Sequence, residues 1–281
     1  MPISPRRSST PTSPTGAAGT RTSRRTRTLF AAAIIEAVPE EATLDVPDGW
    51  VLVDLHNHSD RSYDAVNTLA HYERAHRAGR FHVLGVTDHN RIDGALELRE
   101  RASFPIVVGM EIDTSEGELI GLFLAEPLPV GLTASETAER IRAQGGLVYI
   151  QHPFYRFVRE PLLARTREQL LDAGLIDIVE VRNGGPFTGA ADRRAAAWAR
   201  EAGLPRAGSS DAHEPADIGQ IVTAVPPGPL EAGPFVERLG EGLVVDRHRS
   251  SAMQIATKAR YRFFAEIPRR VRGETRKQRL P

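Results

Sequence analysis

Trp50-Val51-Leu52-Val53-Asp54-Leu55-His56-Asn57-His58-Ser59-Asp60 is an apolar run that ends in two histidines one residue apart. In an extended strand, residues i and i+2 project to the same side, so His56 and His58 can reach one metal ion together. The stretch reads as a strand with a metal cradle at its end. A His-x-His pair is also an ordinary feature of hairpin surfaces, so the reading depends on donors supplied elsewhere.

Outward from this stretch the chain alternates strands and helices. Strand candidates are 50–55, 82–87, 105–112, 118–124, 147–151, 175–182, 205–209 and 242–245; helical segments are 66–79, 93–102, 133–144, 160–172 and 188–202. Gly79, Gly145 and Gly203 stand where helix stops are expected. Such alternation implies parallel pairing with helices outside, and this many units implies a barrel with its chemistry at the C-terminal strand ends. Thr114-Ser115-Glu116-Gly117-Glu118 breaks the rhythm as a short polar link between two apolar runs, which predicts a β-hairpin and an irregular barrel.

The polar residues fall at those strand ends. After His56-Asn57-His58 come Thr87-Asp88-His89-Asn90, Gly109-Met110-Glu111, Gln151-His152-Pro153, Arg182-Asn183-Gly184-Gly185 and Ser210-Asp211-Ala212-His213. Five of the nine histidines sit there, while His71, His76, His82 and His248 fall at sites suited to surface or core roles. With no cysteine in the chain, disulfides, thiolate zinc sites and cysteine nucleophiles are excluded. Histidine with Asp and Glu is the ligand set of zinc, manganese or iron in a hydrolytic site.

The net charge of zero conceals an asymmetry. Residues 1–28 carry six Arg and no acid, and 258–281 carry nine Lys and Arg against Glu266 and Glu274, which leaves 29–257 with a net charge of −13. An acidic body is not a surface for long nucleic acid. The expected organisation is a disordered basic tail over 1–28, a lead-in over 29–49, one catalytic domain over 50–250 and a basic tail over 251–281. Leu29–Ile35 is too short to cross a bilayer and is closed by Glu36. A cytoplasmic protein is expected, with Ser23-Arg24-Arg25 before an apolar stretch leaving twin-arginine export as the alternative.

Taken together, order and spacing resemble the PHP (polymerase and histidinol phosphatase) superfamily over about residues 50–225. The resemblance rests on His56-Asn57-His58 with Asp64, on Thr87-Asp88-His89-Asn90, on Glu111 and His152, and on Asp211-Ala212-His213. It implies a distorted (β/α)7 TIM-like barrel holding two to three divalent ions. Carried over, His56, His58, Glu111 and Asp211 hold one ion, and Glu111 bridges to a second held by His152 and the Asn183 position. Asp64, His89 and His213 hold the third. Asn183 departs from relatives that place His or Cys there, and a neutral amide is a poorer ligand.

The function so implied is hydrolysis of a small phosphoester by a metal-bridging hydroxide, since paired divalent ions acidify water and clamp phosphoryl oxygens. The substrate is a phosphomonoester, nucleotide or short oligonucleotide, with neither a membrane nor an obligate protein partner expected. Catalytic roles fall to Asp88, His89, Glu111, Asp211 and His213, with Asp88 orienting a ligand or water, or capping the segment near Ile92. Asn90, Arg91, Arg156 and Arg182 are candidates for binding substrate, the three arginines because guanidinium matches phosphate bidentately. Three alternatives remain. One is a carbaryl-hydrolase-like ester hydrolase on the same site. Another is an amidohydrolase barrel, whose lysine bridge is unavailable because the chain's two lysines, Lys258 and Lys277, lie in the tail. The last is a non-catalytic PHP module.

Overall fold

Strand β1 (Val51–Asp54) is followed by helix α1 (Leu69–Arg77), β2 (Val83–Val86), α2 (Asp93–Arg101), β3 (Ile106–Thr114) and β4 (Gly117–Leu122). Next come α3 (Ala134–Ala143), β5 (Leu147–Ile150), α4 (Ala164–Asp172), β6 (Ile178–Asn183) and α5 (Gly189–Glu201). The order ends with β7 (Arg206–Ser209), β8 (Ile221–Val225), α6 (Ala232–Gly240) and β9 (Leu243–Asp246). This computed structural model describes residues 46–155, 161–247, 252, 255 and 256. The sequence expectations for both basic tails, the twin-arginine stretch, Arg156 and His248 lie outside the described residues.

The nine strands form one sheet in the order β7-β6-β5-β4-β3-β2-β1-β8-β9. β1, β2 and β3 pair in parallel, as do β5, β6 and β7. β4 runs against both β3 and β5, and β8 against both β1 and β9. The expected hairpin is present, with Thr114 opposite Gly117. The barrel closes where the chain continues beyond β1 and β7: Asp211 N–H donates to His56 O (2.9 Å) and His58 N–H to Ala212 O (3.1 Å). Asp54 reinforces this seam by accepting from the N–H groups of Ser210 (2.9 Å) and Gly219 (3.2 Å). Burial lifts its carboxyl to about 6 against the pull of these bonds. Gly184 is required beside the seam, since a Cβ there would lie 2.1 Å from Ser210 O.

Two apolar layers result. The outer one packs helices on the sheet, for instance Tyr72 and Ala75 of α1 and Ala195 and Ala199 of α5. The inner one fills the barrel with Val53, Val83, Val107, Tyr149, Ile178 and Ala207, joined by Phe235 and Leu239 of α6. Because Val83, Ile178 and Ala207 are first or second in their strands, α6 plugs the end opposite the strand termini. Neither β8 nor α6 was expected from the sequence. Among the described residues, no helix is long and apolar enough to cross a membrane.

Candidate metal centre

His56 and His58 leave β1 on the same side, as i, i+2 geometry requires, with their Nε2 atoms 3.2 Å apart and both rings fully buried. Glu111, within β3, places Oε2 3.2 Å from each of them. Asp211, just beyond β7, places Oδ1 3.5 Å from His56 Nε2 and 3.4 Å from His58 Nε2. Four donors at 2.0–2.1 Å from a tetrahedral ion would be separated by about 3.3–3.4 Å. His56, His58 and Glu111 are therefore spaced to hold one ion, with an Asp211 oxygen within 3.5 Å of both imidazoles.

A second group lies beside the first. Asp64 Oδ2 is 3.3 Å from His89 Nε2 and 3.2 Å from His213 Nε2, and His58 falls within 4.8 Å of all three. His213 Nδ1–H donates to Asp211 O (2.9 Å), which turns Nε2 toward Asp64. On the other side, His152 Nε2 is 3.5 Å from Glu111 Oε1, so the two oxygens of Glu111 face different imidazoles. His152 and Asp211 have φ of 29° and 49°, a region non-glycine residues seldom adopt, and both bring donors to the cluster.

The electrostatics follow from this packing. Burial favours the neutral acid at Glu111, Asp211 and Asp64, yet the imidazoles around them hold all three carboxyls well below the usual range. Conversely, burial opposes protonation of His56, but Asp211, Glu111 and Glu180 outweigh it and raise its pKa well above the ordinary value. His58 is raised in the same sense, and His89 reaches about 9 because Glu111 and Asp64 overcome its burial. Neither Lys nor Arg pairs with Asp64, Glu111 or Asp211 among the described residues. Buried carboxylates gathered without a fixed cation call for one.

The sequence reading missed Glu180. It lies inside β6 rather than at its end, with Oε1 3.1 Å from His56 Nδ1 and from Tyr149 OH. Its Oε2 accepts from His152 N–H (2.8 Å) and Asn183 Nδ2 (2.9 Å). One carboxylate thus orients two site histidines. Glu118 of β4 was also missed; it is buried 3.9 Å from His89 Nδ1. A bulge between Glu180 and Arg182 resets the strand's alternation, which lets Glu180 and Asn183, three apart, face the same way.

Several expected site residues are placed elsewhere. Asn183 Oδ1 accepts from Gly185 N–H (2.7 Å), and a backbone N–H can only donate, so the amide nitrogen faces Glu180 and Asp211. The residue presents a donor to the centre, not a ligand oxygen. Both oxygens of Asp88 accept from Ser59, one from N–H and one from Oγ, each at 2.6 Å, which makes it a latch on the His58–Asp64 loop. Asn90 clamps β3 by accepting from Asp113 N–H (2.9 Å). Arg91 is held bidentately by Asp93, and Arg182 by Asp192 (2.6 Å) and Asp246 (2.8 Å).

The family model described as PHP-associated matches residues 189–244. Two uncharacterized proteins of Methanocaldococcus jannaschii are similar. MJ1587 is 42% identical over 104 residues, which cover 36% of this chain and 57% of that protein. MJ0417 is 32% identical over 168 residues, which cover 59% and 67%. The chain thus spans just over half the length of the first and two thirds of the second. Among solved structures, a two-domain Bacteroides vulgatus protein containing a predicted PHP-like metal-dependent phosphoesterase superposes with a TM-score of 0.58 at 18% identity, covering 75% of this chain and 70% of that one. The chain belongs to the PHP superfamily. Its PHP barrel is assembled with donors from both sides of the closing seam, His56 and His58 from one, Asp211 and His213 from the other.

Proposed function

We propose that this PHP protein hydrolyses a small phosphoester, either a phosphomonoester, a nucleotide or a short oligonucleotide, using two to three divalent ions. His56, His58, Glu111 and Asp211 would hold one ion. Glu111 and His152 would reach a second, and Asp64, His89 and His213 a third. The observation that carries the reading is Glu111, whose two oxygens face separate sets of imidazoles and can join neighbouring ions. Bound there, such ions lower the pKa of water and neutralise charge developing on a phosphoryl group. The chain's own part is to fix the donors: Glu180 sets the His56 ring, and the Asp211 carbonyl sets that of His213.

One observation favours a second reading, a carboxylic or carbamic ester as substrate. Arg91 and Arg182, expected to meet phosphate, are both engaged by carboxylates. A single panel separates the readings: p-nitrophenyl phosphate, bis-p-nitrophenyl phosphate and p-nitrophenyl acetate, each with Mn²⁺ or Zn²⁺. Turnover of a phosphoester supports the proposal, whereas turnover of the acetate alone overturns it. Metal analysis should find more than one equivalent per chain, and a preparation with no affinity for Zn²⁺ or Mn²⁺ would sink both readings.

A further inference from the structure

Glu118 is an acid set in an apolar column. It belongs to β4, where Ile120 and Leu122 fill the inner layer of the barrel and Leu119 the outer one. Strand alternation puts Glu118 on the inner side with Ile120. The register agrees: Glu111 lies opposite Ile120 and Asp113 opposite Glu118, so Glu118 and Glu111 share the face that meets the metal centre. The turn before it holds this direction. Thr114 Oγ1 donates to Gly117 O (2.5 Å), and the Glu116 carboxylate accepts from Ala134 N–H (2.9 Å) and Thr166 Oγ1 (3.3 Å). Only 5% exposed, Glu118 carries a burial cost that an apolar residue would avoid, so packing alone does not account for it.

Imidazoles that bind a metal through one nitrogen donate the other N–H to a carboxylate or carbonyl, which fixes tautomer and ring orientation together. Two site histidines have that partner in place: His56 Nδ1 meets Glu180 Oε1 at 3.1 Å, and His213 Nδ1 meets Asp211 O at 2.9 Å. His89 turns Nε2 to Asp64 (3.3 Å), but its Nδ1 is buried and makes no hydrogen bond. Two carboxylates stand near that nitrogen, Glu111 with Oε2 at 3.7 Å and Glu118 with Oε1 at 3.9 Å. Glu111 Oε2 is already 3.2 Å from the Nε2 atoms of both His56 and His58. Glu118 is the acid left to serve His89. His58 Nδ1 also lacks a hydrogen bond, yet no acid forms an ion pair with it among the described residues.

We propose that Glu118 is the positioning residue of His89, an inference that rests on the metal ions proposed for this site. By accepting from Nδ1–H it keeps Nε2 unprotonated, with its lone pair turned to the ion that Asp64 and His213 would also hold. A shift of about 1 Å in the Glu118 side chain brings the pair to hydrogen-bond length. Without that acceptor a proton on Nδ1 is buried and unsatisfied, and the ring gains by carrying it on Nε2 instead, beside Asp64, where it blocks ligation. Glu118 is not a fourth ligand of the same ion, because Asp64 and Glu118 face different nitrogens of one imidazole.

The test follows Co²⁺ binding to the metal-free full chain by visible absorption. His89→Gln should abolish one equivalent, which marks the ion in question. Glu118→Gln keeps a neutral acceptor in place and should weaken that equivalent about tenfold, and Glu118→Leu, which keeps none, about 100-fold; equivalents that survive in His89→Gln should hold their affinity in both. Should Glu118→Leu fail to fold, Glu118→Gln decides alone. An unchanged affinity in Glu118→Gln overturns the proposal, and so does a chain in which no equivalent depends on His89. In the zinc-loaded protein, imidazole ¹⁵N correlations should show His89 protonated on Nδ1, and a proton on Nε2 would refute the assignment. Binding that depends on Glu118 in a protein that turns over neither phosphoester would support Glu118 as the positioning residue while refuting the phosphoesterase reading.

Discussion

The two ends of the barrel hold histidines in opposite electrostatic states. Where the parallel strands finish, carboxylates share the burial of His56, His58 and His89 and raise all three. At the other end, His82 at the start of β2 is lowered, first by desolvation, and its Nδ1 accepts the N–H of Leu52 (2.9 Å). Residue type is common to both ends, but burial is not: His82 is exposed, whereas His56 and His58 are fully buried. What separates the ligand cluster from the structural imidazole is that its rings are buried and that acids are buried along with them.

The comparison breaks most sharply at Asp211 and His58. Asp211→Ala or His58→Ala should lower phosphoester turnover by at least about 10³-fold, since each removes a donor from the first ion. Circular dichroism should change little, the melting temperature should fall by what the weakened ion contributed, and unaltered rates would show the donor set to be misassigned. At the plugged end the effect should invert. Phe235→Ala should cost about 3–5 kcal/mol in urea unfolding, because a fully buried ring is lost from the inner core. The folded fraction should keep its kcat, and a collapse in kcat would mean that the two ends are not separable.

Smaller effects sharpen the contrast. Glu180→Gln should reduce metal affinity by about 10- to 100-fold in a competition titration, because the carboxylate that orients His56 is gone. An unchanged affinity would relegate Glu180 to packing. The least effect belongs to His82. Its folded pKa is lowered, so the unfolded chain takes up the proton more readily, and stability held at neutral pH is lost as pH falls from about 6.5 downward. The exposed position limits this to under about 0.5 kcal/mol. Melting temperatures from pH 7.5 to 5.5 should decline less in His82→Gln than in the parent chain, and parallel curves would exclude the effect.

Much of this was legible because strand ends and ligands coincide. Every strand expected from the sequence is present within a few residues, and the glycine stops at 79, 145 and 203 all have positive φ. The reading failed where local pattern carries no information about partners. Ile221–Val225 is an ordinary apolar run, and only its antiparallel pairing with β1 gives it a place. Glu180 was hidden because attention to strand ends overlooks an acid inside a strand, and only the bulge turns it toward His56. Arg91 and Arg182 were placed by proximity to ligands in the chain, but Asp93, Asp192 and Asp246 compete for them at closer range. Asp88 and Asn90 sit in the expected motif, yet their polar atoms are spent on Ser59 and Asp113.

The seam between β1 and β7 also bears on how the chain acquires its metals. Its contacts, such as Leu55 with Ser209 and Asp54 with Ser210, join residues 154 to 156 apart in sequence. Closing a loop of that length costs about 4–5 kcal/mol in chain entropy before any contact repays it. Since His56 and His58 lie on one lip and Asp211 and His213 on the other, no complete donor set exists in a refolding chain until the lips meet. Metal uptake therefore marks the late, long-range step of folding, and an ion that binds tightly only after that step acts as the clasp that keeps the circle shut.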